Sequence, residues 1–499
     1  MDTLLKIVQT VNSYLTDYVL IFLLVGVGLY FTIRTKFVQV RCFGQGMKLV
    51  FGKISFKGGK HKGGLSSFQA LATAIAAQVG TGNIVGACGS ILIGGPGAIF
   101  WMWIIAFFGM ATIYAEAVLA QKTRVVDENG EVHGGPVYYI KTAFKGKFGK
   151  FLAGFFAVAT ILALGFMGSM VQSNSIANTI GTAVSTASGN EFTLYWVIGL
   201  VVAALAAFIF IGGVNRIASV TEKMVPAMAV LYLLGGLVVL CIRIRYIPET
   251  FGMIFKYAFN AKALIGGSVG MALKTAISQG AKRGLFSNEA GMGSTPHAHA
   301  QANVKTPHEQ GCTAMIGVFI DTFLVLTMTA LVVISTLYAG NGILHNPNLA
   351  LGDGTAANAG LLGINNANMA QMGFGLAFNN ANVGNIFVAI CLFFFAFSTI
   401  IGWNFFGKVN ANYLFGKKGV LVYAILSIGF IFLGSMLKVS LVWELADFFN
   451  YLMVIPNVIA LVALGSLVFK SAKTRGACDL PPIEGDATAE AEEEPAKAE

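Results

Sequence analysis

The quartet Gly80-Thr81-Gly82-Asn83 lies in the middle of one long apolar run, Phe68–Ile93. Its two glycines and two hydrogen-bonding side chains weaken a helix at about the depth of a membrane centre. Because backbone groups in hydrocarbon must be satisfied, a helix is broken there only where its freed carbonyls and amides line a cavity or hold a ligand. The quartet therefore indicates an ion and substrate site. Helix packing is the alternative, since Gly82 and Gly86 also form a small-xxx-small pair.

The composition is that of a membrane protein. Of the 499 residues, 56% are hydrophobic and 11% are charged, and the mean hydropathy is +0.72, which excludes a water-soluble globular protein. We predict an all-α polytopic membrane protein with about eleven transmembrane helices. The apolar runs are Leu15–Ile33, Phe68–Ile93, Gly97–Gln121, Phe151–Val184, Thr193–Ile211, Val225–Ile242, Ile265–Ala281, Met315–Leu337, Val383–Phe406, Val420–Leu437 and Leu445–Phe469.

The basic residues predict the orientation of these spans. With the N-terminus outside, most of the 33 Lys and Arg residues fall in loops on the cytoplasmic side, as the positive-inside rule requires. The C-terminus is then cytoplasmic, and the basic charge reflects membrane orientation and not nucleic-acid binding. The outer segment Arg243–Lys262 is the exception, and its basic residues either snorkel or lie on an interfacial helix around Pro248–Tyr257.

Several functional classes lack their motifs in this chain. It contains no Ser/His/Asp or HExxH arrangement and no P-loop, so we predict neither an enzyme nor a protein driven directly by ATP. The six cysteines have no metal-binding or disulfide spacing, and we interpret them as small apolar residues. No cofactor and no obligate protein partner is indicated. A secondary transporter or a channel remains.

A second weak point favours the transporter over the channel. The polar stretch Ser278-Gln279-Gly280 interrupts an apolar span five spans after the first break, which two inverted five-span repeats would produce. We therefore divide the chain into an extra N-terminal span with a basic loop (1–63), a first repeat (64–245), a second repeat (246–470) and a disordered acidic cytoplasmic tail (471–499). Carriers, more than channels, place broken helices at corresponding positions of two halves.

Several sequence strings resemble the alanine or glycine:cation symporter family. They are GLSSFQAL from Gly64, VGTGNIVG from Val79, GGPGAIFWMW from Gly94, GGPVYYI from Gly134, MVQSNSIA from Met170, RGLFSNEAGMGS from Arg283 and FSTIIGWNFFG from Phe397. The resemblance implies the leucine-transporter-like fold of the amino acid–polyamine–organocation superfamily with one extra N-terminal helix. It also implies Na⁺-driven uptake of small neutral amino acids across a bacterial or archaeal cytoplasmic membrane.

The resemblance further implies a sodium site at the first break. By similarity, the carbonyls of Ala76, Val79 and Phe395 and the hydroxyls of Ser398 and Thr399 coordinate Na⁺, since carbonyls and hydroxyls suit a hard cation. The alternative for Ser398-Thr399 is that each hydroxyl bonds back to its own helix.

The substrate is expected at the same break. Gly80, Thr81, Gly82 and Asn83 offer free amides and the positive end of a half-helix to a carboxylate. Gln172 and Trp403 are further candidates for substrate contact. Each has an alternative, since Gln172 could instead bond between helices and Trp403 could instead anchor the membrane interface. The second break adds Ser278, Gln279 and Gly280 as substrate-binding residues, and Thr399 is expected to contact the substrate as well as Na⁺.

Four features are departures from the family or have no assigned role. Lys274 either snorkels outward, pairs with a buried acid such as Glu116 or Asp321, or replaces a cation and shifts the coupling towards H⁺. Gln78 could narrow the pocket or favour a substrate with its own amide. Glu289 fits gating or structural pairing better than substrate contact. The polar segment 340–382 is an outer insertion without an assigned role.

The sequence thus predicts a symporter for Na⁺ and a small neutral amino acid, with alanine or glycine favoured and serine or glutamine possible. A proton-coupled carrier and a transporter-like nutrient sensor remain as alternatives.

Overall fold

The computed structural model describes residues 2–52, 65–127, 131–184, 191–259, 269–344, 359–360, 362–437 and 439–475. Every residue predicted to bind sodium or substrate lies within these ranges. Residues 476–499 of the predicted disordered tail (471–499) lie outside the described residues, as do residues 345–358 and 361 of the predicted outer insertion. Residues 471–474 of that tail belong to the helix Gly465–Thr474.

The described chain is mostly helical. Eight of its helices are long and apolar enough to cross a membrane: Leu5–Arg34, Ala98–Thr123, Gly146–Val184, Thr193–Ile211, Gly213–Ile242, Pro307–Tyr338, Ala381–Gly434 and Leu441–Ala463. Two shorter helices, Ser67–Gln78 and Gly82–Gly94, meet at an angle of 47° and together make a ninth candidate span. Large apolar side chains such as Phe208, Ile211 and Leu421 are exposed on outer faces of these helices, as a lipid-facing surface requires.

Two features explain why the described residues give up to nine candidate spans where the sequence predicts eleven. The Ala381–Gly434 helix has 54 residues and contains Gly416, whose non-helical φ of 67° and ψ of −167° divide it between two predicted spans. The Val269–Asn288 helix is not among the apolar candidates, because Lys274, Lys282 and Arg283 make it polar. The total of eleven stays a prediction.

Shorter elements connect the spans. They are the helices Val38–Arg41, Phe43–Phe51, Pro136–Ala143, Ile247–Phe259, Pro296–His299, Met369–Ala377 and Gly465–Thr474, and a 3₁₀ turn at Ile244–Tyr246. A helix thus occupies the segment for which the sequence gives an interfacial helix as one of two alternatives. Two-stranded pairings join Leu65–Ser66 to Ala302–Asn303 in parallel and Val125–Val126 to Val132–His133 in antiparallel orientation.

Several spans contain π-helical segments, at Leu15–Leu20, Gly82–Gly86, Ile161–Gly168, Phe319–Leu326 and Ile334–Tyr338. Such segments place one extra residue in a helical turn and are frequent at functional sites. Two of them carry polar side chains that meet in the protein interior, namely Asn83 and Asp321.

The predicted second break falls on the Val269–Asn288 helix. The Val269–Asn288 helix continues through Ser278, Gln279 and Gly280, so the prediction of a break there is wrong. Gly280 serves close packing instead, since a Cβ at this position would lie 2.6 Å from Trp101 Cβ.

The chain leaves the helix after Asn288. Glu289, Gly291 and Gly293 have positive φ angles of 57°, 92° and 80°. The buried carboxylate of Glu116 accepts hydrogen bonds from the Gly291 and Gly293 amides at 3.2 and 3.0 Å. Glu116 therefore satisfies the backbone of this turn, which accounts for an acidic residue inside the apolar span Ala98–Thr123.

Candidate functional site

The first break is produced by hydrogen bonds that depart from the helical pattern. The Ser67–Gln78 helix ends at Val79, whose φ of −80° and ψ of 87° turn the chain out of the helix. The Gly80 amide, which would donate to Ala76 in a continued helix, donates to Asn83 Oδ1 at 2.9 Å. The backbone N–H of Asn83 donates to the Gly80 carbonyl at 3.2 Å, where a continued helix would have it donate to the Val79 carbonyl. The carbonyl oxygens of Ala76 and Val79 are therefore available to another partner.

That partner is Thr399. Its hydroxyl lies 2.9 Å from the Ala76 carbonyl, 3.4 Å from that of Val79 and 3.0 Å from that of Phe395. All four residues are buried, with exposures of at most 1%. A hydroxyl among three carbonyls is an arrangement of uncharged oxygens that fits Na⁺ as a transported substrate. The structure thus brings together four of the five predicted sodium ligands around one point.

Ser398 differs from its neighbour. Its hydroxyl donates to the Phe395 carbonyl at 2.8 Å and lies 3.5 Å from Met228 Sδ. Both hydroxyls share the Phe395 carbonyl, but only that of Thr399 also reaches the broken helix. The back-bonded alternative therefore describes Ser398 in this conformation, and its side chain has to rotate to join the other oxygens.

The opposite side of the break presents an amide. Thr81 N–H donates to Gln172 Oε1 at 3.1 Å, so Gln172 contacts the break itself and not merely a neighbouring helix. Gln172 Nε2 and Thr81 Oγ1 are buried and have no hydrogen-bond partner among the described residues. Buried polar groups of this kind require a partner. Both can donate to the carboxylate of an amino acid, whereas the Thr81 amide would first have to give up its bond to Gln172 Oε1.

Asn83 links the break to a buried acid that the sequence does not place in the site. Its Nδ2 donates to Asp321 Oδ1 at 2.6 Å, while the hydroxyls of Ser287 and Thr322 donate to Asp321 Oδ2 at 3.0 and 2.8 Å. The hydrogen-bond partners of this carboxylate among the described residues are all uncharged. A buried carboxylate in a membrane protein needs a cation or a proton. Asp321 is therefore a second candidate position for a coupling ion.

The first break contacts the end of the Val269–Asn288 helix. A Cβ at Gly82 would lie 3.1 Å from Ser287 Cα and 3.3 Å from Phe286 Cδ1. The Phe286 ring packs edge-on against Trp403, with 5.7 Å between the ring centroids. The Trp403 indole donates to the Glu289 carboxylate. Trp403 is 1% exposed, so it forms part of an aromatic wall beside Gly82 and is not an interface anchor.

Gln78 connects the first break to the end of the Val269–Asn288 helix. Its Nε2 donates at 2.7 Å to the carbonyl of Asn288, the last residue of the Val269–Asn288 helix. Its Oε1 would lie 3.0 Å from a Cβ placed on Gly317. The amide is thus held between helices, and Oε1 is the atom left without a partner among the described residues.

The structure separates the remaining predicted substrate residues from the first break. Ser278 and Gln279 line a polar cavity of about 390 Å³, together with Asn12 of the N-terminal helix. Gly280 packs against Trp101, as described above. Polar residues on this helix therefore face a cavity beside the N-terminal helix and do not mark an unwound segment.

Lys274 belongs to the same cavity. Its ammonium lies over the Tyr18 ring, 5.5 Å from the centroid. This contact lies on the N-terminal helix and not among the oxygens around Thr399. Of the three interpretations of Lys274, the structure gives no support to replacement of a cation at the Thr399 site.

A cluster of charges close to this cavity escaped the sequence analysis. Lys282 Nζ lies 2.8 Å from Asp447 Oδ2 and 3.4 Å from Glu444 Oε1, and Arg283 Nη1 lies 3.3 Å from the same Asp447 oxygen. The signal was present, because Asp447 lies inside the predicted span Leu445–Phe469, where an ionisable residue is a functional candidate by default. The cluster ties the Val269–Asn288 helix to the Val439–Ala463 helix.

Gly80→Ala is expected to raise the Na⁺ concentration needed for half-maximal uptake about tenfold. The new Cβ would lie 2.4 Å from the Thr399 hydroxyl and force it away from the carbonyls. The measurement is the Na⁺ concentration for half-maximal uptake. Gly86→Ala is the matched control, since its Cβ would meet nothing closer than 3.8 Å. Equal effects of the two substitutions would favour the helix-packing explanation of these glycines.

A helix broken among apolar spans, with carbonyls released from the helical pattern on one side of the break and polar donors on the other, is typical of a secondary transporter of the membrane. Comparison with known proteins agrees. The model of the sodium:alanine symporter family matches residues 1–476, and the chain belongs to this family. Membership makes the chain a multi-pass membrane protein of amino acid symport with Na⁺ as coupling ion, and not an enzyme.

Two relatives illustrate the range of the family. The chain is 40% identical over 469 residues to the sodium/alanine symporter AgcS of Methanococcus maripaludis, covering 94% of this chain and 96% of the relative. It is 38% identical over 470 residues to the probable sodium/glutamine symporter GlnT of Bacillus subtilis, covering 94% and 90%.

Among solved structures, the crystal structure of MhsT in complex with L-phenylalanine matches with a TM-score of 0.54 at 15% identity. The match covers 83% of this chain and 100% of MhsT. This similarity concerns the fold alone, and it agrees with the predicted leucine-transporter-like architecture.

Proposed function

We propose that this chain imports a small neutral amino acid together with Na⁺ by alternating access. The observation that carries the proposal is the convergence of the Ala76, Val79 and Phe395 carbonyls on the Thr399 hydroxyl, beside an amide end formed by Thr81. A cation and a zwitterion can then bind to opposite sides of one break. Rocking of one helix bundle against the other would expose them to the cytoplasm, with the N-terminus outside and the C-terminus inside.

The walls of the break favour a small substrate. Phe286 approaches Gly82, and Trp403 packs against Phe286 and is held by Glu289. This aromatic wall limits the room next to the quartet. Alanine or glycine are therefore the proposed substrates, with serine next. Glutamine requires more space, and the unpartnered Gln78 Oε1 is the group that could receive its side-chain amide.

Proton coupling is the second candidate, and Asp321 is the observation that favours it. A carboxylate surrounded by neutral donors can be neutralised by a proton as well as by Na⁺. The Thr399 oxygens, by contrast, contain no group that takes up a proton in the physiological range.

Uptake into proteoliposomes separates these functions. With labelled alanine, glycine, serine and glutamine, we expect accumulation under an inward Na⁺ gradient and none under a pH gradient alone. Accumulation driven by the pH gradient without Na⁺ would replace the proposal by the proton-coupled carrier. Specific binding without flux under either gradient would identify a sensor, and unlabelled competitors give the order of substrates.

A further inference from the structure

A cluster of metal-binding side chains lies apart from the transport site. Cys42, His308 and Cys312 are each at most 1% exposed, and one ligand atom from each lies within 4.8 Å of those of the other two. Cys42 separates the helices Val38–Arg41 and Phe43–Phe51, which follow the first span. His308 and Cys312 are one turn apart on the helix Pro307–Val318. The three side chains are thus brought together by tertiary packing and not by a sequence motif.

The helix packing around the cluster is close. A Cβ on Gly46 would lie 2.7 Å from the Cys312 carbonyl oxygen, so a glycine is needed for the Phe43–Phe51 helix to approach the Pro307–Val318 helix. Within the second helix, Cys312 Sγ lies 3.5 Å from His308 Nε2. Two ligands at positions i and i+4 of one helix face the same side, as in many metal sites.

The histidine is oriented by neighbours outside the cluster. Its Nδ1 lies 2.8 Å from the Tyr114 hydroxyl, and its Nε2 lies 3.3 Å from Gln45 Oε1. With the proton on Nδ1 donated to the Tyr114 oxygen, the Nε2 lone pair lies on the side of Cys312 Sγ. It can bind a metal ion once the Gln45 amide oxygen beside it turns away. Hydrogen bonding of the distal nitrogen is the usual way in which a protein fixes a ligating imidazole.

The charges of the three ligands also suit a divalent cation. Two thiolates and a neutral imidazole would balance a divalent cation without leaving a net charge in the interior. Thiolate and imidazole ligands select thiophilic cations over Na⁺, Mg²⁺ or Ca²⁺.

We propose that Cys42, Cys312 and His308 form a site for one thiophilic divalent cation, of which Zn²⁺ is the best match. Three protein ligands leave a fourth position for water or a further side chain. The bound ion would link the turn at Cys42, after the first span, to the helix Pro307–Val318. This helix continues into the segment Phe319–Leu326 that contains Asp321, so the ion would stabilise one side of the helix bundle. It would not take part in the Thr399 site, with which it shares no residue.

The test uses the full-length protein, purified under reducing conditions and stripped of metal with a chelator. Titration with Co²⁺ is expected to give thiolate charge-transfer absorption that saturates at one ion per chain, and Zn²⁺ is expected to displace it. Cys42→Ser and Cys312→Ser should each remove most of this absorption and weaken Zn²⁺ binding by at least about tenfold. Cys88→Ser and Cys391→Ser are the matched controls, because both replace buried cysteines outside the cluster and should keep the wild-type spectrum.

The wild-type protein by itself can overturn the proposal. A Co²⁺ spectrum without thiolate bands, or one that persists in Cys42→Ser and Cys312→Ser, would contradict the site. Thiol counting under denaturing conditions without reductant is a second measurement that does not depend on folded variants. All six cysteines should react. A deficit of two that disappears in the Cys42→Ser variant would mean a disulfide in place of a metal site.

Discussion

Thr399→Ala is expected to raise the Na⁺ concentration for half-maximal uptake by about ten- to a hundredfold. Among the described residues, this hydroxyl is the side-chain oxygen that reaches all three carbonyls, those of Ala76, Val79 and Phe395, at 2.9, 3.4 and 3.0 Å. A hydrogen bond or ligand contact to a charged partner contributes about 1.5–3 kcal/mol, which corresponds to this range of affinity. The measurement is initial uptake of labelled alanine at graded Na⁺ concentrations in proteoliposomes.

The neighbouring hydroxyl provides the control for Thr399. Ser398→Ala removes a hydroxyl from the same turn of the same helix, but one that faces Met228. It should therefore change the Na⁺ requirement less than Thr399→Ala does. Thr399→Ser keeps the oxygen and should rescue most of the affinity, whereas Thr399→Val keeps the volume and should not. An unchanged Na⁺ requirement in both Thr399→Ala and Thr399→Val would remove this residue from the proposed sodium site.

The first half of the site could be predicted from local sequence. A Gly-Thr-Gly-Asn quartet in an apolar run indicates a break. Glycine permits the non-helical backbone, and polar side chains at this depth require hydrogen-bond partners. The structure has the break at Val79 and Gly80, with Gln172 bonded to the next amide. These features follow from one segment at a time, so sequence reasoning reached them.

The second half depended on contacts between distant segments. Ser278-Gln279-Gly280 has the composition of a break, but its glycine packs against Trp101 and its polar residues face a cavity. The helix ends instead at a turn around Glu289, whose backbone amides are bonded by the Glu116 carboxylate. Glu116 lies 173 residues before Glu289, and the sequence shows it only as an isolated buried acid. Sequence composition shows where a helix can break, whereas tertiary hydrogen bonds decide where it does.

The same limit applies to the buried polar groups. Asp321 is recognisable in the sequence as a deep acid, but its connection to Asn83 and Ser287 appears only in the folded chain. Cys42 and Cys312 likewise have no metal-binding spacing, and the fold nevertheless brings them to His308. The number of spans and the bounds of the two proposed repeats remain predictions, since Gly416 alone decides whether Ala381–Gly434 counts as one helix or two.

Asn83→Ala is expected to reduce transport at subsaturating Na⁺ by about a hundredfold, because the side chain acts on both sides of the break. Its Oδ1 accepts from the Gly80 amide at 2.9 Å, and its Nδ2 donates to Asp321 Oδ1 at 2.6 Å. The substitution leaves a buried amide without its acceptor and removes a charge-assisted bond from a buried carboxylate. The two losses together remove about 2.5–4.5 kcal/mol of interaction free energy. The fall in transport measures the share of this free energy that stabilises the protein with Na⁺ and substrate bound.

The decisive comparison for Asn83 separates a role in the site from a role in folding. Asn174→Ala is the matched control, because Asn174 is also a buried asparagine, and its amide donates at 2.8 Å to the carbonyls of Gly434 and Leu437 away from the break. Both variants should lower the melting temperature in detergent, but only Asn83→Ala should lose the stabilisation that Na⁺ and alanine confer on the wild type. If the two variants instead lose uptake in proportion to their melting temperatures and both retain ligand stabilisation, Asn83 only supports the fold. In that case the Asn83–Asp321 bond would be a structural contact, and Asp321 would lose its candidacy as the second position for a coupling ion.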